Sequence, residues 1–227
     1  MARKLGRALT TILVALVLLA AIPSAIIFAS AWTARWRASR LLTVIRQFRP
    51  GTTTEEQAEK ALEPFRRFRN DFQSGFAPST QQSEYDFSNT PPWRYAAFDH
   101  ALTFLPWTRF SVVISYRDAM LSEMQVREAQ QEHLGYVHPV LASAQLRSVR
   151  SQERRPEDFN GYEVRRQNTV GLDDLGKPNG FVCCEEEFTI LDERASAQQR
   201  VQALNFRLAC VTSIFSCSQP RKLRPPL

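Results

Sequence analysis

The sequence predicts an α+β fold: an amino-terminal transmembrane helix, then a small domain of antiparallel sheet with one or two helices on one face. Three observations lead there. Residues 9–32 form an apolar run with no charged side chain. Apolar and polar residues alternate at 110–116 and again at 121–128, the period of a half-buried strand. Apolar residues recur at helical spacing at 41–48, 58–68 and 197–208.

The apolar run comes first in the chain and decides most of the reading. As a helix its 24 residues reach about 36 Å, against a hydrocarbon core of about 30 Å. Arg3, Lys4 and Arg7 precede it in a short basic tail, residues 1–8. Trp32, Arg35, Trp36, Arg37 and Arg40 follow it, the residue types that sit at a membrane interface. A cleaved signal peptide is the rival reading, because Ala29-Ser30-Ala31 has the small-x-small form of a cleavage site. The run is longer than an ordinary signal core, which favours a retained anchor. Basic residues flank both ends almost equally, so charge leaves orientation open. The short amino-terminal tail and the cysteines favour an extracytoplasmic carboxyl-terminal domain.

The net charge of +6 is unevenly distributed. Residues 35–69 carry nine basic and four acidic side chains, whereas residues 70–227 carry seventeen basic and nineteen acidic. The surplus is therefore beside the apolar run. It matches anionic lipid head groups within a Debye length of about 8 Å and argues against nucleic acid as a partner.

Residues 33–69 read as basic helices next to the membrane. Leu41, Leu42, Val44, Ile45 and Phe48 continue a helical pattern that Pro50-Gly51 stops. Thr53 with Glu56, or Thr54 with Gln57, has the spacing of a capping box. Ala58, Ala61, Leu62, Phe65 and Phe68 then extend an amphipathic helix to about Arg69.

The globular domain is expected over residues 70–217. Residues 70–92 have loop composition with one short strand near Tyr85–Phe87, and 93–105 read as a short helix. Phe110, Val112, Ile114 and Tyr116 share a face opposite Ser111 and Ser115. Arg117–Met120 is the turn into Leu121–Glu128, where Met124 and Val126 alternate with Glu123, Gln125 and Arg127. Strands are also expected around Val140–Val149, at Tyr162–Gln167 and at Phe181–Leu191, the last with Cys184, Glu186, Phe188 and Ile190 on one side. A closing helix falls in 195–209, with Ala197, Val201, Leu204 and Leu208 on one face, and residues 218–227 form a basic, proline-rich tail.

The stretch Arg49-Pro50-Gly51-Thr52 with its following helix resembles the PG-x-T start of BamE/SmpA-like envelope lipoproteins. The resemblance covers fewer than twenty residues. No lipobox cysteine is present and no Leu-Gly-x-Pro closes the helix, so it implies an envelope location and no activity. The general layout resembles single-pass exported proteins of bacteria.

Cys210 and Cys217 are spaced to close a short disulfide loop, whereas the adjacent Cys183 and Cys184 are poorly placed to bond each other. His133 and His138 stand five residues apart and diverge on either a helix or a strand. His100 beside Asp99 has no identifiable nucleophile to serve, and Glu185-Glu186-Glu187 reads as a solvated run. The aromatic cluster from Trp93 to Phe110 reads as core packing. No catalytic, cofactor or metal motif is present in the sequence, and no cofactor is expected. The expectation is a non-enzymatic binding or structural module at a membrane surface, with anionic lipid and another envelope protein as partners. The alternatives are an anchored enzyme using His100, His133 or His138, and an inverted protein with a cytoplasmic domain.

Overall fold

Asp118 and Ala119 both adopt positive φ, 54° and 57°, the pattern of a tight two-residue hairpin turn whose twist matches its strands. They join β3 (Trp107–Arg117) to β4 (Met120–Gln131), pairing Arg117↔Met120 and Tyr116↔Leu121; a one-residue register shift at Ser122 then gives Ile114↔Met124, Val112↔Val126 and Phe110↔Glu128. The computed structural model describes residues 2–73, 81–88, 107–131, 140–148, 161–172, 178–212, 217 and 223. Around the hairpin stand β1 (Arg69–Gln73), β2 (Gln81–Ser88), β5 (Val140–Arg147), β6 (Tyr162–Leu172) and β7 (Pro178–Leu191). Their order in the sheet is β1-β2-β3-β4-β5-β7-β6.

The expected antiparallel sheet is corrected to a mixed one, because β5 and β7 run parallel. The chain leaves β5, forms β6 one position further out, and returns as β7 into the gap between them. Alternating polarity identifies strands but carries no information on which strand fills which slot.

One face of the sheet is covered by α1 (Ala2–Ile45), α2 (Glu55–Leu62), α3 (Ala197–Ala203) and two 3-10 turns, Glu63–Phe68 and Leu208–Thr212. Tyr85, Phe87, Phe110, Val112, Ile114, Met124, Val126, Ala142, Ala144, Leu146 and Leu191 are all buried there. Into the same core α1 sends Ala34, Ala38, Leu41, Leu42 and Ile45, and the later segments send Leu62, Phe65, Phe206, Leu208 and Leu223. The Phe110 and Phe206 rings meet edge to face at 6.0 Å. On β7 the buried, helix-facing residues are Glu187, Thr189 and Leu191, while Phe188 and Ile190 lie half-buried on the open face. Pairing with Ala142, Ala144 and Leu146 sets this register, not side-chain polarity.

The predicted membrane-spanning helix is likewise corrected. Among the described residues no helix is long and apolar enough to cross a membrane. α1 is one element of 44 residues. From Ala31 its inner stripe turns into the domain core. The single-pass and signal-anchor readings of residues 9–32, and the extracytoplasmic placement that depended on them, are therefore not carried forward.

The connection after α1 docks by backbone pairing. Gly51 N–H donates to Leu121 O at 2.7 Å, Leu121 N–H to Thr53 O at 2.9 Å and Glu55 N–H to Ala119 O at 2.9 Å. Thr54 caps α2 in a reciprocal box with Gln57, one of the two pairings the sequence allowed. Pro64 has no N–H for the next helical bond, so α2 ends at Leu62 and tightens into the 3-10 turn instead of running to Arg69. Gly51 has φ of +83°, and a Cβ there would lie 2.8 Å from Glu193 Oε1 and 3.1 Å from Ser148 Oγ. Gly51→Ala is expected to cost about 1–2 kcal/mol, from backbone strain plus displacement of Glu193, read as a lower urea midpoint.

Cys210 and Cys217 are joined, with Cα atoms 6.0 Å apart. Cys217 N–H donates to the Gln130 side-chain oxygen, and Arg207 N–H donates to Leu223 O at 2.5 Å. The disulfide thus helps hold the carboxyl-terminal segment against β4. Replacing both cysteines by serine is expected to cost about 2 kcal/mol for so short a loop, with a matching loss for the reduced wild type.

Candidate functional site

Three places in the described residues have the makings of a site. The first is an open cleft of ≈ 100 Å³ beside the hairpin turn, lined by Gly51, Arg117, Asp118, Met120, Leu121, Ser122 and Ser148. At about 30 Å³ per molecule it has room for about three waters, well short of the roughly 300 Å³ of a small-molecule pocket.

The second is a row of side chains across the helix-facing sheet: Phe87, Phe110, Glu128, Ala142 and Glu187. Glu128 is fully buried, and neither carboxylate oxygen has a hydrogen-bond partner. Burial pushes its carboxyl well above the usual range, which favours the neutral form. On β7, Glu187 is buried and Thr189 Oγ1 is buried without a partner. Enclosed on every side, the Glu128 carboxyl has no route to a substrate. Among the described residues no three His, Cys, Asp or Glu side chains stand close enough to hold a metal ion.

The third lies on the outside of α1. Leu41, Leu42, Ile45, Ala34 and Ala38 face the core, which turns the opposite stripe of the helix to solvent. Trp32 and Trp36 lie on that stripe, 60% and 57% exposed. The Arg40 guanidinium stacks 4.9 Å from the Trp36 ring centre. Earlier on the helix, Ile12, Leu13, Val14, Val17, Ile22, Ile26 and Phe28 are exposed too.

The five interface residues read from the sequence thus split three ways. Trp32, Trp36 and Arg40 stay together on the outward stripe. Arg35 stacks on Trp32 at 5.3 Å but turns toward the domain, donating to Thr212 Oγ1 at 3.1 Å. Arg37 points the other way and stacks 4.6 Å from the Phe68 ring centre, where Arg67 stacks as well, also at 4.6 Å. Phe68 is fixed from below by Phe87, ring to ring at 5.2 Å. Partial burial, and then the nearby Arg67 charge, lower the Arg37 pKa.

Arg67 and Phe68 were absent from the expected interface. They lie some thirty residues downstream of Arg37, and only the folding of the 3-10 turn against α1 brings them together. Arg69, next in the chain, is fully committed. Its guanidinium contacts both Glu59 oxygens at 2.5 and 2.6 Å and Asp71 Oδ1 at 2.5 Å. Beside it, burial pushes the Tyr85 hydroxyl up to about 12.

His100, His133 and His138 lie outside the described residues, as do Trp93, Tyr95, Phe98 and Phe104. Phe110 is a core residue, and of the three consecutive glutamates only Glu187 has a described side chain. Compared with known proteins, the chain matches no family model, no curated protein and no solved structure. The resemblance at Pro50-Gly51 therefore rests on its few residues alone.

Proposed function

We propose that this protein is a non-enzymatic binding module whose partner is an anionic lipid surface, met by the outward stripe of α1. The observation that carries this reading is the pair of exposed tryptophans, Trp32 and Trp36, each with an arginine stacked on its ring. Large aromatic surface turned to water is costly unless something covers it. An indole beside a guanidinium suits the head-group layer, where an apolar body and a charged tip are both accommodated. The exposed apolar residues between Ile12 and Phe28 add surface that acyl chains would cover. Contact with the head groups and the adjoining acyl layer is all that the reading requires of α1.

Each arginine near an anionic surface is worth about 1 kcal/mol, and salt screens that term. The full chain is expected to co-sediment with vesicles of phosphatidylcholine plus phosphatidylglycerol, less with phosphatidylcholine alone, and less again as salt rises. Trp32→Ala with Trp36→Ala is expected to weaken binding to both vesicles. Equal sedimentation with the two vesicle types, or none with either, would overturn the reading.

A further inference from the structure

We infer that Arg37 and Arg67, gathered on the Phe68 ring, form a binding site for a phosphate group; the inference rests on the lipid reading above and names the chemistry of its head-group contact. Two guanidiniums stacked at 4.6 Å on one benzene ring are like charges brought together by the fold. Among the described residues neither joins an ion pair, in contrast to Arg69, Arg109, Arg165 and Arg194, each of which contacts a carboxylate. Stacking on a ring face limits the freedom of a planar guanidinium and does not use its in-plane N–H donors. That arrangement favours a tetrahedral oxyanion, which accepts several N–H bonds at once. The ring itself is anchored by Phe87, so the site is held by the core and not by a loose loop. Arg40, three residues from Arg37 and stacked on Trp36, places a third cation next to the exposed tryptophans. The same chemistry fits a lipid phosphodiester and free phosphate.

The test uses the full chain and two probes. Arginine Nε–Hε resonances are followed by NMR as inorganic phosphate is added, with chloride at matched ionic strength as control. Binding to phosphatidylglycerol-containing vesicles is measured for wild type and for Arg37→Gln with Arg67→Gln. A control pair, Arg127→Gln with Arg165→Gln, removes two charges from the open face of the sheet, and melting curves verify folding of each variant. The expected result is that phosphate, unlike chloride, shifts Arg37 and Arg67, and that the double variant loses about 30-fold in vesicle affinity while the control pair does not. Arg37→Lys with Arg67→Lys keeps both charges, so it should hold most of the vesicle affinity. Should phosphate move neither resonance beyond chloride, or the Gln pair bind vesicles as the control pair does, the site is disproved; vesicle binding by wild type would then leave the lipid reading standing. If wild type ignores anionic vesicles yet phosphate shifts both resonances, the site stands, the lipid reading fails, and the ligand is a soluble phosphate.

Discussion

Leu41→Ala is expected to destabilise the whole domain by about 2–5 kcal/mol, the range for deleting a buried leucine side chain when the surroundings only partly collapse. Leu41 is fully buried between its neighbours Ala38, Leu42 and Ile45 on α1 and the sheet core. The loss should appear as a lower urea midpoint with an unchanged slope, followed by a probe in the sheet. Ile22→Ala, on the exposed part of the same helix, removes side-chain bulk of similar size and should change stability by no more than about 0.5 kcal/mol. If the end of α1 were a tether leading away from the domain, the two substitutions would behave alike. Against a folding free energy of about 5–15 kcal/mol, the Leu41 change removes a large share.

Glu128→Met is expected to act in the opposite direction, raising stability at pH 7 by about 1–3 kcal/mol, the cost of an unpartnered buried polar group. The carboxyl lies in the row between Phe110 and Ala142, and its oxygens contact no donor. The nearest ionisable group along that row is Glu187, two strands away at about 10 Å and of no help as a counter-ion. The pH dependence follows from proton counting. The unfolded chain releases the Glu128 proton near pH 4.3, whereas the folded chain retains it to well above that. Between those two pH values the native state binds one more proton than the unfolded state, so this group's contribution falls as pH rises, by about 1.4 kcal/mol per unit. The contribution is fully present below pH 4 and eroded at neutrality. Glu128→Met removes that slope. A variant less stable than wild type at pH 7, or one with the same pH slope, would show that the carboxyl has a partner in solution.

Much of the sheet was legible in the chain because its strands alternate. The period at Phe110–Tyr116 and the Met124–Val126 parity define the hairpin and the covered face. The same parity, carried two residues further, lands on Glu128. That is the one sequence signal for the buried acid, and its polar identity disguises it. Strand order was not legible, since placing β7 between β5 and β6 depends on contacts distant in sequence. The reading of α1 went astray because an apolar, charge-free run counts every residue equally. Ala31, inside that run, and Ala34 and Ala38, just beyond it, are buried small side chains that let the helix pack closely on its own domain. The exposed neighbours Trp32, Trp36 and Arg40 could be grouped from the sequence because they lie on one helix. The pairing of Arg37 with Arg67 and Phe68 was not, because a fold and not a spacing creates it.

Native-state hydrogen exchange over α1 tests most directly the claim that the last part of this helix is a core element of the domain. Amides from Ala34 to Ile45 should exchange only through global unfolding, with the same opening free energy as β3 and β4. Exchange of these amides at the rate of an isolated helix, while β3 and β4 stay protected, would contradict it.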